Sequence, residues 1–234
     1  MDDMTPIPIV ALDTPTKEAA LALVDELADG CRFYKVGSEL FTVVGPSIVH
    51  ALVERGTEVF LDLKLHDIPN TVAGAVKAAA ALGVRLLTVH AAGGEAMLRA
   101  AVNAAGDPAR TAVLAVTVLT SHDATQLGSI WGRPSGLEMS EEVLRLAAVA
   151  RDAGAYGVVC GGGEARDVKA RFGSSLAILI PGIRPAGGAT HDQARVVTPA
   201  EAAAAGARYV VVGRAVTAAA DRRGAMRQIA AQLR

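Results

Sequence analysis

Short apolar runs alternate with alanine-rich stretches along most of the chain. The runs near residues 7–13, 33–37, 58–64, 86–90, 112–120, 157–160, 177–181 and 209–213 are rich in Val, Ile and Leu. They are apolar on both faces, the pattern of parallel strands covered on both sides. Between them, residues 16–28, 71–82, 94–105, 140–153 and 199–205 carry good helix formers with glycine punctuation at their ends. Ser140, followed by Glu142, predicts an N-cap with acids in the first turn. Gly45-Pro46 breaks the helix after the second strand, and Gly161-Gly162-Gly163 predicts a tight strand-to-helix turn after the sixth. Eight strand–helix units in 234 residues predict an α/β fold, a closed (β/α)8 TIM barrel formed as one domain over residues 1–234. An open doubly wound sheet uses the same alternation. The count of eight favours the barrel, and no GxGxxG follows the first strand to support dinucleotide binding.

Composition narrows the function classes. The formal net charge is −1 and aromatics make up 3% of the chain. With no basic run either, nucleic-acid binding has little support. The apolar runs are strand-sized and broken by charges and glycines, so no transmembrane helix is expected. Met1-Asp2-Asp3-Met4 is acidic where a signal peptide would be basic. Cys31 and Cys160 are too far apart for a CxxC site and do not form a disulfide framework. A reducing, cytoplasmic location is therefore expected. The five histidines, His50, His66, His90, His122 and His191, show no tight ligand spacing, so no metal site is expected. His66 reads as a packing or supporting residue, and His90 as a hydrogen-bonding residue at the rim.

The third strand breaks the apolar pattern. In an extended strand side chains alternate between faces. Asp62 and Lys64 then share one face, while Leu61, Leu63 and Leu65 share the other. Buried ion pairs rarely improve on apolar packing, so opposite charges here point to chemistry. In a parallel barrel all strand C-termini open onto one face, where the active site is built. The first strand ends in Asp13, and the second carries Lys35. The third gives Asp62, Lys64 and then Asp67. His90 ends the fourth, and Thr120-Ser121 the fifth. Pro181-Gly182-Ile183-Arg184 follows the seventh, and Gly213-Arg214 closes the eighth. Alternating signs at Asp13, Lys35, Asp62 and Lys64 would keep each ion charged in a low-dielectric pocket. Loops after the seventh and eighth strands of such barrels often bind phosphate, and Arg214 would add a fork of donors. Residues 181–199, with Gly182, Arg184, Gly187, Gly188, His191 and Gln193, have the composition of a mobile lid.

Together these residues resemble the orotidine 5′-monophosphate decarboxylase family over nearly the whole chain. The resemblance rests on Ala11-Leu12-Asp13, Tyr34-Lys35-Val36-Gly37, Val116-Thr117-Val118-Leu119-Thr120-Ser121, Pro181-Gly182-Ile183-Arg184 and Val212-Gly213-Arg214. Above all it rests on Asp62-Leu63-Lys64-Leu65-His66-Asp67-Ile68-Pro69-Asn70-Thr71. Asp-x-Lys-x-x-Asp alone is shared with related sugar-phosphate barrels, which carry an acidic residue where this chain has Lys35.

The resemblance implies cofactor-free loss of CO₂ from orotidine monophosphate to give uridine monophosphate, the last step of de novo pyrimidine synthesis. It implies a homodimer, with Asp67 donated across the interface and accompanied by Ile68 and Thr71. It places Thr120 on the pyrimidine and Arg214, Arg184 and Gln193 on the phosphate, with Pro181 and Gly213 in the same substrate-binding set. Decarboxylation leaves a carbanion whose lone pair lies in the ring plane, beyond the reach of ring resonance. A fixed cation would stabilise it, and Lys64 is the candidate both for that role and for proton delivery. Asp62 would face the departing carboxylate, and Lys35 and Asp13 would orient Lys64 and the ribose hydroxyls. Two alternatives stay open: a Mg²⁺-dependent sugar-phosphate decarboxylase or aldolase-type barrel with Asp62 as a metal ligand, and a non-catalytic nucleotide-binding barrel. Residues 123–139, with Trp131, would either cover the pyrimidine side of the mouth or lie on the surface.

Overall fold

The computed structural model describes residues 5–133, 137–184 and 197–234. Most of the predicted lid, residues 185–196 with His191 and Gln193, lies outside the described residues, as do residues 134–136.

The strands are β1 Ile7–Ala11, β2 Phe33–Gly37, β3 Glu58–Leu65, β4 Leu86–His90, β5 Ala112–Val116, β6 Gly157–Val159, β7 Ala177–Ile180 and β8 Tyr209–Val212. Each pairs in parallel with its sequence neighbours, and β8 returns to β1 through Ile7–Tyr209 and Val10–Val212, closing the predicted barrel. The helices are α1 Lys17–Leu27, α2 Ser38–Val44, α3 Ser47–Glu54, α4 Pro69–Ala81, α5 Gly94–Ala105, α6 Ala124–Ile130, α7 Met139–Asp152, α8 Gly162–Phe172, α9 Pro199–Ala204, α10 Arg214–Thr217 and α11 Arg222–Gln232. None of the described helices is long and apolar enough to cross a membrane.

Strand alternation sorts the core into two layers. Ile9, Phe33, Phe60, Leu86, Leu114 and Val211 point inward and fill the barrel. Val10, Val36, Leu61, Leu87, Val158 and Val212 point outward and pack under the helices. Phe33 and Tyr209 meet edge-on inside, with ring centroids 6.0 Å apart. Burial, with the Tyr156 hydroxyl 3.4 Å away, pushes the Tyr209 phenol up to about 12. The lower barrel is therefore a packed plug, and open space lies above it.

Several boundaries differ from the sequence expectation, each for a local reason. β5 stops at Val116 instead of running to residue 120: the Thr117 N–H makes the last ladder bond, to the Val159 carbonyl at 3.1 Å, the Thr117 hydroxyl donates to the same oxygen at 2.8 Å, and β6 itself ends at Val159. This frees residues 118–120 to shape the mouth. β1 stops at Ala11, while Leu12 still donates to the Lys35 carbonyl at 2.9 Å, which fixes where Asp13 emerges. Ser140 does not cap α7. Glu138 occupies the N-cap position, and the Ser140 hydroxyl instead donates to Asp167 of α8. α4 begins earlier than expected, with Pro69 in its first turn, where a missing N–H costs nothing. The Gly45-Pro46 break is real and separates α2 from α3. Helices α8 and α11 fall in stretches rich in charge and glycine, where propensity gives little signal, yet Val168, Met226 and Ile229 bury one face of them. α10 is a single turn. Trp131 ends α6, half-buried against the outer core with the Arg145 guanidinium 5.8 Å over its ring. It does not line the cavity at the barrel mouth.

Candidate active site

The third strand gains its unusual end from a break in register. Leu61 pairs with Leu87 and Leu65 with Val89, so β3 advances four residues where β4 advances two. The excess is taken up around Lys64, whose φ of 49° is left-handed, the one such non-glycine value among the described residues. Sidedness survives the bulge. Asp62 and Lys64 face the barrel mouth, whereas Leu61, Leu63 and Leu65 line a separate apolar cavity on the outside.

Four charged side chains form a row across β1, β2 and β3. Lys35 Nζ donates to Asp13 Oδ1 at 2.9 Å and lies 4.0 Å from Asp62 Oδ2. Lys64 Nζ donates to both oxygens of Asp62, at 2.9 and 2.8 Å. The side chains of Lys35 and Asp62 are each 12% exposed, that of Lys64 37% and that of Asp13 60%. The inner pair is thus shielded from water, while both ends of the row open to the cavity. Two positive and two negative charges in alternation leave no uncompensated ion. Gly37 makes this approach possible. A Cβ built there would lie 2.9 Å from Lys35 Nζ and 3.5 Å from Asp13 Oδ1.

The row forms one wall of a cavity of about 620 Å³ at the C-terminal end of the barrel. Its floor is apolar, made by Ala11, Phe60, Val116, Val159, Leu179 and Val211. Thr120, Ser121, Pro181, Arg184, Gly213 and Arg214 line its other sides. Arg184 is 8% exposed and donates from Nη1 to the Ile183 carbonyl at 2.9 Å, and Arg214 is exposed at the start of α10. One cavity therefore offers an ionic wall, an apolar floor and two guanidinium groups, which suits a flat ring carrying an anionic arm.

Asp67, Ile68 and Thr71 are not brought into this cavity by the chain itself. They lie beyond the end of β3, all exposed, with Ile68 at 67%. Asp67 Oδ1 accepts the Ile68 N–H at 2.6 Å. Gln193 lies outside the described residues. His66 is exposed and its ring sits 5.4 Å from that of His90. Burial, and then repulsion from His66 and Lys64, holds His90 below the usual histidine range. It is therefore neutral near pH 7 and adds no further positive charge beside Lys64. Among the described residues, no three His, Cys, Asp or Glu side chains cluster as metal ligands would.

Two residues escaped the sequence reading. Glu39, in the first turn of α2, lines the cavity. Thr88, in the middle of β4, is 1% exposed, accepts the Lys64 N–H and donates to Asp62 Oδ1, both at 2.9 Å. Alternation along β4 from the inward Leu86 would have turned Thr88 into the barrel. A polar residue in the middle of an otherwise apolar run was the available signal.

Comparison with known proteins places this geometry in context. Residues 6–229 match the model of the orotidine 5′-phosphate decarboxylase / HUMPS family. An orotidine 5′-phosphate decarboxylase of Halorhodospira halophila is 52% identical, the match covering 96% of this chain and 94% of that protein. One of Nitrosococcus oceani is 49% identical and covers 96% of each. Among solved structures, the crystal structure of orotidine 5′-phosphate decarboxylase from Lactobacillus acidophilus superposes with a TM-score of 0.84 at 38% identity, over 98% of this chain and 99% of the other.

Proposed function

The chain belongs to the orotidine 5′-phosphate decarboxylase / HUMPS family, and from that premise we propose that it converts orotidine 5′-monophosphate to uridine 5′-monophosphate and CO₂. It is a carboxy-lyase of pyrimidine biosynthesis. The observation that carries this choice of reaction is Lys35, held between Asp13 and Asp62. An acidic residue there, as the resemblance gives to the sugar-phosphate enzymes, would put three carboxylates in a row and invite a divalent cation. Lysine closes the row with its own positive charge.

The chemistry follows from the positions. The C6 carboxylate of the substrate enters beside Asp62, and like-charge repulsion there favours its departure. As CO₂ leaves, the electron pair stays on C6 in the ring plane. The Lys64 ammonium, oriented by Asp62, stabilises that charge and then transfers a proton to C6. Lys35 and Asp13 hold Lys64 and the ribose hydroxyls, Thr120 contacts the pyrimidine, and Arg214, Arg184 and Gln193 hold the phosphate, with Pro181 and Gly213 beside them. Residues 181–199 act as the lid. No metal or organic cofactor enters this scheme. Orotidine monophosphate absorbance should fall on adding enzyme, at a rate unchanged by a chelator. A protein inert toward this nucleotide, or one silenced by the chelator, belongs with the sugar-phosphate enzymes instead.

The working form is a homodimer in which Asp67, Ile68 and Thr71 of each subunit complete the partner's cavity. Their exposure at the end of β3, outside their own cavity, supports this arrangement. Sedimentation should give a dimer, and Asp67→Asn and Lys64→Ala should each be nearly inactive alone. Mixed, unfolded and refolded together in equal amounts, they should recover about a quarter of wild-type activity, because half the dimers then carry one intact site. No recovery, or a fully active monomer, excludes donation in trans. We assign the enzyme to the cytoplasm, in keeping with two buried cysteines that form no disulfide.

A further inference from the structure

Lys64 reaches the cavity through a backbone turn that the strand would not adopt unaided. Its φ of 49° is unfavourable for a side chain with a Cβ, and such turns persist only where the surroundings fix them. Packing on the outside does little, because Leu63 and Leu65 back onto an apolar cavity of about 270 Å³. The β3–β4 ladder is interrupted over this stretch, so the Lys64 N–H loses its strand partner and must find another. It finds the Thr88 hydroxyl, 2.9 Å away. At 1% exposure Thr88 is closed to bulk water. Having accepted that N–H, the hydroxyl has one proton to give, and Asp62 Oδ1 receives it at 2.9 Å. Asp62 in turn takes both of its other short contacts from Lys64 Nζ. The result is a closed ring in which one hydroxyl ties the backbone of Lys64 to the carboxylate that aims its ammonium.

We propose that Thr88 is a positioning residue for decarboxylation, whose hydroxyl locks the left-handed turn at Lys64 and orients Asp62. It does not touch the substrate and acts through these two residues. The proposal rests on the reading of Lys64 as the group that acts at C6.

Thr88→Val keeps the shape and β-branching suited to a strand while deleting the hydroxyl. Misplacement on the ångström scale costs up to about 10²-fold in rate. Thr88→Val should therefore lower kcat by about 10- to 100-fold with KM within about threefold, and Thr88→Ser should restore kcat to within about threefold of wild type. Independently of turnover, hydrogen exchange at the Lys64 amide should be at least about tenfold faster in Thr88→Val than in wild type or Thr88→Ser, as loss of its acceptor requires. A Thr88→Val enzyme with wild-type kcat overturns the proposal. So does a Thr88→Ser enzyme as slow as Thr88→Val, or an unchanged Lys64 amide. If Thr88→Val does not fold, Thr88→Ala takes its place, and wild-type kcat in that variant is equally decisive. Failure of the Lys64 reading is a separate result: Lys64→Ala would then remain active whatever the Thr88 variants do.

Discussion

Lys64→Ala is expected to fold, to bind a nucleotide product or inhibitor, and to lose at least about 10⁴-fold in kcat. Two contributions combine in that figure. General-acid delivery of a proton supplies about 10²–10⁴-fold, and a fixed charge facing a developing anion about 10²–10³-fold. A loss of 10⁴-fold corresponds to about 5.5 kcal/mol of transition-state stabilisation. Stability should change far less. Asp62 keeps the Thr88 hydroxyl at 2.9 Å and Lys35 at 4.0 Å, so it is not left as an isolated buried charge. Alanine tolerates the left-handed turn no better than lysine does, so the backbone at position 64 gains no relief. Lys64→Gly would relieve it, and should be the more stable of the two inactive variants by about 1 kcal/mol. Thermal unfolding together with single-turnover decarboxylation checks both statements. Decarboxylation by Lys64→Ala within about tenfold of wild type would transfer the proton-donor role to another group.

The fold was legible because its driving force is local. Parallel strands covered on both faces read as continuous apolar runs, and eight of them separated by helix formers leave few architectures. The charged end of β3 was legible for the complementary reason: period-two alternation puts Asp62 and Lys64 on one face, and that pattern cannot come from core packing. What alternation could not reveal is that Lys64 sits in a bulge. A bulge is a relation between two strands, and β3 alone carries no sign of where β4 will fall out of step. Thr88 stayed hidden for the same reason, since its importance lies in two partners on another strand. The end of β5 was misjudged because residues 117–120 have strand-like composition, whereas the neighbouring β6 ends at Val159, whose carbonyl takes the Thr117 hydroxyl. Ser140 has the chemistry of a cap but lies within the first turn, where Asp167 across the α7–α8 contact takes its proton. In each case a tertiary partner decided between two local readings of comparable merit.

Arg214→Ala is expected to reduce kcat/KM for orotidine monophosphate by about 10²–10³-fold, while changing kcat/KM for the phosphate-free nucleoside by less than about threefold. The guanidinium stands at the β8 end of the cavity, and the proposed scheme puts the reacting carbon at Asp62 and Lys64 on β3. It therefore cannot act on C6 directly. On the proposed assignment its contribution would come from binding, as a charge-assisted and geometrically matched pair with the phosphate. Charged hydrogen bonds of this kind are worth about 1.5–3 kcal/mol each, and a bidentate pair approaches the upper part of the stated range. Remote binding energy raises the rate where it is spent on assembling the site. On the proposed reading of residues 181–199 as the lid, that energy would go into excluding water and strengthening every charge interaction along the Asp13–Lys35–Asp62–Lys64 row. The loss should then appear in kcat as well as in KM. A loss confined to KM would reduce Arg214 to a simple anchor, and equal losses on nucleotide and nucleoside would remove the phosphate from its role altogether.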